Sequence, residues 1–425
     1  MNRHFLRLVF SVVLVPLGGA AVAQPSSERA PEAAPPVEQL VAEALATAPS
    51  LAVLRARLAA AREAVAPAGA LPDPTVELVL QDMSFPKWTV GSDPMSMIGP
   101  QVQQDLLYPG KRKARRAAAS AEAAIRGKEL EQVQREVTAQ VRTLYARLYT
   151  LDRERKALAD ARELLELLAA TASARYSTGE AEQEAVIKAQ LQVSRLAERL
   201  DDLAAERQAF VSGLDRLLDR PAGATLGEVE ALPPVPGSPG EWAELAEADS
   251  PAVAVKEAAV QAAEKRLDAV RLELKPNLMA GAGIGLRGQF DPAVTLSFGV
   301  EWPLWRKEKQ APLARAAELE LVAANEDLRD AKAAARAEAT RLGVGLSRAD
   351  SQIERYRQAI LPQTSAAIDA ARSAYLAGRG DFTTVILDFK EWLDARAQLA
   401  MRESERYIAW SELQVLVAPR TENAQ

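Results

Sequence analysis

Along most of this chain apolar residues recur at spacings of three and four, and in four short stretches the spacing falls to two. From about 111 to 174, Leu130, Val133, Val137, Val141, Leu144, Leu148 and Leu151 make one continuous stripe. Such a stripe is the seam of a coiled-coil-like helix. At 1.5 Å per residue, about 65 residues predict a rod on the order of 100 Å long. The same period predicts helices from 37 to about 69, over 181–218 and 241–274, from about 305 to 375, and on to 416. Pro362 falls inside the second long tract, where it is expected to break or kink the helix.

The alternating stretches carry a different message. Leu278, Ala280, Ala282, Ile284 and Leu286 fall on one face of a strand, opposite Asn277, three glycines and Arg287. Val294, Leu296, Phe298, Val300 and Trp302 repeat the pattern, and Val76, Leu78 and Leu80 oppose Thr75, Glu77 and Gln81. Strands of roughly ten residues, apolar on one side, match the length and period of an outer-membrane barrel. In that arrangement Glu77, Gln101, Gln103, Asp105, Arg287 and Glu301 face the lumen, and Trp88, Tyr108, Trp302 and Trp305, with Phe85, form an aromatic girdle. The same pattern also suits a half-buried soluble sheet. Four strands are too few to close a barrel, and hydrocarbon does not tolerate an open strand edge. A membrane reading therefore requires several copies to share one barrel.

The order helix, hairpin, long helix, turn, helix occurs twice. "PSLAVLRARLAAA" (49–61) aligns with "PAVAVKEAAVQAA" (251–263), Tyr176 and Gly179 with Tyr375 and Gly378, and Val186-Ile187 with Val385-Ile386. The expected organisation is a first repeat over 37–220, with its hairpin at 71–107 and its turn at 176–181. A linker over 221–240 leads to a second repeat over 241–418, with its hairpin at 276–304 and turn at 375–381, and a tail over 419–425. At the start, Arg3 and Arg7, an apolar run to Leu17 and Ala21-Val22-Ala23 read as a secretory signal peptide over 1–23. A flexible Pro/Ser/Ala linker over 24–36 follows.

Composition narrows the chemistry. The chain lacks cysteine, and its one histidine, His4, falls in the signal peptide. That excludes a mature zinc, Cys-nucleophile or Ser-His-Asp centre. A net charge of −6 does not suggest a nucleic-acid partner. "GAGIG" (281–285) lies within a strand pattern and is followed by more strand, unlike a dinucleotide loop. "KRKARR" (111–116) reads as a solvated basic helix end. No carboxylate pair has a spacing that asks for acid-base catalysis, so no enzyme and no cofactor are expected.

The doubled "YSTGEAEQEAVIKAQ" and "YLAGRGDFTTVIL", with "QVQQDLLYPGKRKARRAAA" and "VEWPLWRKEKQAPLARAAE", resemble the TolC-type outer-membrane factors of tripartite efflux pumps. The resemblance covers nearly the whole mature chain. It implies a mainly α fold with a β-barrel part: three subunits share a twelve-stranded barrel in the outer membrane of a Gram-negative bacterium, above a long periplasmic helical tunnel. It also implies passive conduction, with a periplasmic adaptor and an inner-membrane RND-type pump as partners. Tyr176, Gly179, Tyr375 and Gly378 then mark the adaptor-docking tips. "LLYPGKR" and "PLWRKEKQ" look most like the heavy-metal-efflux branch, and Met83, Met95 and Met97 are soft atoms near the first hairpin. Two departures stand out. The acyl-anchored cysteine of many relatives is missing, and an aspartate common six residues after the tip glycine is replaced by Ala185 and Thr384. Glu182, Glu184, Asp381 and Asp388 are nearby acids that could line the tunnel mouth instead. Drug or protein export on the same fold, and a soluble periplasmic coiled-coil scaffold, are the alternatives.

Overall fold

Each repeat approaches a β-hairpin through short helices, leaves it along one very long helix, and turns back at a glycine. The structure is a computed structural model that describes residues 33–84, 88–180, 182–236 and 242–417. The predicted signal peptide lies outside the described residues. In the first repeat α1 (Val37–Thr47), α2 (Pro49–Glu63) and α3 (Val65–Ala68) lead to β1 (Thr75–Gln81) and β2 (Met97–Leu106), and then to α4 (Lys111–Ser177) and α5 (Gln183–Leu218). In the second, α6 (Trp242–Asp249) and α7 (Pro251–Leu272) lead to β3 (Asn277–Arg287) and β4 (Phe290–Glu301). The descent follows through α8 (Gln310–Arg355), a π-helical turn (Tyr356–Ile360) and α9 (Leu361–Leu376), and α10 (Phe382–Leu416) returns.

Gln310–Leu376 spans the same 67 residues as α4, a length on the order of 100 Å. The helix does not break at Pro362. The turn before the proline widens instead, and Leu361 N–H bonds Tyr356 O, five residues back. A wider turn moves the carbonyl with which the proline ring would clash in a regular helix.

The seam residues are where the pattern places them. Val137, Val141 and Leu148 are buried in one core, against which Leu130, Val133 and Leu144 pack, and Leu151 is buried in the next core toward the turn. Nearer the tips, Leu158, Leu165 and Leu168 of α4 meet Leu196 and Leu203 of α5, with Ile368 of α9 and Val385 of α10. Nearer the sheet, α4 is partnered by α7 and α2. The change of partner is bound at the waist by a buried carboxylate. Asp152 accepts from Arg207 Nε at 2.7 Å and from Val229 N at 2.9 Å, and Arg207 also donates to Leu226 O and Gly227 O. Val229 is itself buried, and Ala34 N donates to Glu228 O at 2.9 Å. Within the two predicted linkers, therefore, residues 33–34 and 226–229 are fastened to the helical body.

A second polar knot sits where strands become helices. Lys111, the first residue of α4, is 2% exposed. Its Nζ donates to Lys275 O and Asn277 Oδ1, both at 2.8 Å, and pairs with Glu273 Oε2 at 3.2 Å. Arg115 holds the other oxygen of Glu273 at 2.7 Å, and Asn277 passes on a hydrogen bond to Glu301 at 2.8 Å. The basic run 111–116 was expected to be solvated; its first member is buried because the segment between α7 and β3, with the first residue of β3, delivers three acceptors to it. Replacing Lys111 by methionine is expected to cost about 3 kcal/mol, because Glu273 stays behind without its buried cation. Arg115→Met, at a half-exposed site, should cost under about 1 kcal/mol. Denaturation of the detergent-solubilised protein, followed by helical circular dichroism, distinguishes them; equal losses would contradict the role given to Lys111.

Candidate functional site

Two surfaces carry candidate function, one at each end of the long helices. The first is the sheet, in which the strands pair antiparallel in the order β1-β2-β3-β4. Register places Val76 opposite Val102, Ala282 and Leu296 in one row, and Leu106 opposite Leu278 and Val300 in another. Every row of this parity is apolar except at Gln104, which donates to Pro72 O at 2.7 Å. The face is bare: Phe298 is 83% exposed, and Val76, Leu78, Val294, Leu296 and Trp302 are exposed with it. An open apolar surface of this extent marks contact with lipid or protein.

The opposite face is polar and crowded. Glu77 pairs with Gln101 and then Gly283, Gln103 with Gly281, and Asp105 with Met279. A Cβ on Gly281 would lie 2.5 Å from Ser297 Oγ, and one on Gly285 2.3 Å from Met97 Sδ. Glycine in strand interiors permits such close approach. Glu77, Gln101, Gln103, Asp105 and Glu301 thus share one face, the last bound to Asn277 at its helical end. Arg287, expected in the lumen, lies at the far end of the hairpin. Its Nε donates to Asp291 O at 2.7 Å and its Nη1 to Pro94 O at 3.3 Å, which ties Pro94 to the β3–β4 turn. Gly288 (φ +66°) closes the hairpin, and a Cβ there would meet Gly91 Cα at 2.3 Å.

Trp88 lies exposed in that loop, whereas Tyr108, Trp302 and Trp305 follow β2 and β4 at the helical end. Phe85 lies outside the described residues. Met95 is exposed, while Met97 packs against Gly285 and Met83 sits in the loop. Among the described residues no group of three or more His, Cys, Asp or Glu side chains is placed to hold a metal ion.

The second surface is the pair of tips, whose backbones are copies. Gly179 (φ +76°) and Gly378 (φ +75°) each follow a helix end in the left-handed region. Glu180 N bonds Arg175 O at 2.8 Å and Gly179 N bonds Tyr176 O at 3.1 Å. Arg379 N to Ala374 O and Gly378 N to Tyr375 O, at 2.9 and 3.0 Å, repeat the pattern. These are two Schellman motifs, and glycine fills the left-handed position at least cost.

Their side chains differ. Tyr176 is 47% exposed and Tyr375 only 3%; Ile187 is exposed and its counterpart Ile386 buried. Arg175 makes the difference. Its Nη1 donates to Tyr375 O at 3.1 Å, and its guanidinium lies 5.3 Å from the Tyr375 ring centre. Phe382 meets the same ring edge-on at 5.5 Å, and burial raises the phenol's pKa. Glu180, Glu182, Glu184 and Asp381 line the cleft of about 280 Å³ between the tips, with Arg175 and Lys188. Asp388 lies farther along α10, away from it. Glu184 pairs with Lys188 at 2.7 Å and, with Asp381 adding its charge, raises that ammonium's pKa. Asp381 accepts from Thr383 N at 3.0 Å and caps α10, whereas Glu182, at the same place before α5, makes no cap bond. Arg175 was missed in the sequence; its mismatch with Ala374 in the repeat alignment was the available signal.

The sequence matches the family described as "outer membrane efflux protein" over residues 40–219 and 242–418. No curated protein matches it. Among solved structures it is similar to the outer membrane protein VceC of Vibrio cholerae, at 18% identity and a TM-score of 0.75, covering 89% of this chain and 95% of that one. CusC is similar at 15% identity and a TM-score of 0.77, with 93% and 96% covered. The MtrE outer membrane channel of Neisseria gonorrhoeae, solved in its open state, is similar at 14% and 0.70, with 90% and 89% covered.

Arg175→Ala should raise amide exchange across 374–382 about tenfold, since a hydrogen bond and a cation–π contact go together. Tyr375→Phe should leave that exchange unchanged, because the buried phenol oxygen has no hydrogen-bond partner. Equal effects in mass-spectrometric exchange would contradict the assignment.

Proposed function

This chain belongs to the outer membrane efflux protein family, and from that premise we propose that three copies form one duct carrying heavy-metal cations out of the periplasm. As a member of that family it is an outer-membrane efflux channel rather than an enzyme. The observation that supports the shared duct is the sheet: one face apolar except at Gln104 and largely exposed, and outer edges on β1 and β4 that pair with no strand among the described residues. In hydrocarbon those edges must be paired by strands of further copies, and three sets of four strands give twelve.

In this arrangement the polar face, with Glu77, Gln101, Gln103, Asp105 and Glu301, lines the pore and sets what passes. Trp88 on one side, and Tyr108, Trp302 and Trp305 on the other, sit at the two membrane boundaries. The helices continue the passage into the periplasm. Their tips dock a periplasmic adaptor, which delivers cargo from an RND-type inner-membrane pump. Tyr176 and Ile187 give the first tip an exposed apolar surface, while the second tip's counterparts are buried. The two tips therefore meet the adaptor differently. Glu182, Glu184 and Asp381 are acids at the mouth suited to cation passage; Asp388 is set back from them. The cargo reading rests on the resemblance of "LLYPGKR" and "PLWRKEKQ" to the heavy-metal branch.

A strain lacking this chain should lose tolerance to copper, silver, cobalt, zinc or cadmium salts by about tenfold and recover it on complementation. A loss confined to drug tolerance would overturn the cargo and leave drug export on the same fold. Phe298→Asp should abolish heat-resistant oligomers in the outer-membrane fraction, because a lipid-facing charge is costly at mid-membrane. Undiminished oligomers would contradict the orientation of the sheet.

A further inference from the structure

The lipid-facing row Leu106, Leu278 and Val300 is level across three strands at the helical end of the sheet. Two residues past it stand Tyr108 and Trp302, and beyond those come cations in both repeats: 111–116 in one, Arg306, Lys307 and Lys309 in the other. The basic run of the first repeat divides by function. Lys111 and Arg115 are committed to Glu273. Arg112, Lys113 and Arg116 are exposed and form no ion pair with a carboxylate among the described residues. All three line one cleft of about 560 Å³, whose remaining walls include Leu71, Leu106 and Tyr108. Arg112 Nε donates to Gly69 O at 2.8 Å, which fixes the guanidinium to the α3 side of the cleft.

Half of this cleft is therefore apolar and continuous with the lipid-facing strands, and half is cationic without countercharge. A soluble anion would use the cations and leave the leucines idle. An acyl chain would use the leucines and leave three cations unmatched. We propose that the cleft binds an anionic phospholipid of the leaflet on the helical side. Its phosphate lies among Arg112, Lys113 and Arg116, and its acyl chains run along the face that begins at Leu106. The proposal rests on the membrane orientation of the sheet given above. The neighbouring Glu273 does not cancel the site, because Lys111 and Arg115 already occupy its oxygens.

The full-length protein, purified in mild detergent and mixed with equal amounts of phosphatidylglycerol and phosphatidylcholine of the same acyl chains, provides the test. Native mass spectrometry should show phosphatidylglycerol retained at least about tenfold over phosphatidylcholine, since each cation near an anionic surface contributes roughly fivefold. The triple variant R112Q/K113Q/R116Q should bring the ratio near one while circular dichroism stays helical. Should it fail to fold, K113Q alone, at an exposed position, should lower the ratio about fivefold. A wild-type ratio near one, a ratio indifferent to these substitutions, or displacement of phosphatidylglycerol by excess inorganic phosphate would overturn the site. A protein that enters no micelle and carries neither lipid would overturn the membrane orientation itself.

Discussion

A peptide group in hydrocarbon has no water to bond, so each N–H and C=O at membrane depth must find another peptide group. Much of this molecule follows from that constraint. Its four strands satisfy one another across three antiparallel pairings, and the outer edges of β1 and β4 pair with no strand among the described residues. The apolar parity of the rows and the glycines that let the polar face crowd inward belong to the same pairing. A soluble sheet with the same residues would cover Phe298 with its own helices. Here the helices depart from one end and leave that face bare.

The passage from strand to helix is where two incompatible periods meet, and the protein builds that meeting from polar atoms. Lys111 is buried at a cost that a surface lysine escapes, yet its three acceptors come from Glu273, Lys275 and Asn277, at the point where α7 gives way to β3. The entry to one repeat's long helix is thereby bonded to the entry to the other's hairpin. At the waist, Asp152 does the same for α5 and the connecting segment around Val229. Both knots use a buried charge to join chain segments that hydrophobic packing would join without choosing a register.

Long helices and alternating strands were legible because each repeats one rule many times, and burial of Val141 and Leu148 or exposure of Val294 and Phe298 follows from that rule. The rest depended on neighbours from elsewhere in the chain. Nothing within 111–116 tells Lys111 from Lys113; the acceptors supplied by 273–277 do. The letters Tyr-x-x-Gly mark two turns and their backbones are equal, and the acidic "GEAEQE" against "GRGDFT" already sets the tips apart; the contact of Arg175 with Tyr375, with no like contact to Tyr176 among the described residues, shows only in the fold. Pro362 obeyed its rule for a regular helix by ceasing to be in one. The segment around Val229 has a linker's composition, and its burial comes from Asp152 and Arg207 rather than from its own pattern.

The equal span of the two long helices has a consequence for how such a protein can change over time. Both count 67 residues between hairpin and turn, and Arg175 of one reaches Tyr375 of the other only because the two ends arrive together. Four residues inserted into one helix would carry its end about 6 Å past its neighbour, beyond the reach of that contact. Length is thus a property the repeats hold in common. A single insertion is an injury, while matched insertions yield a longer version of the same duct.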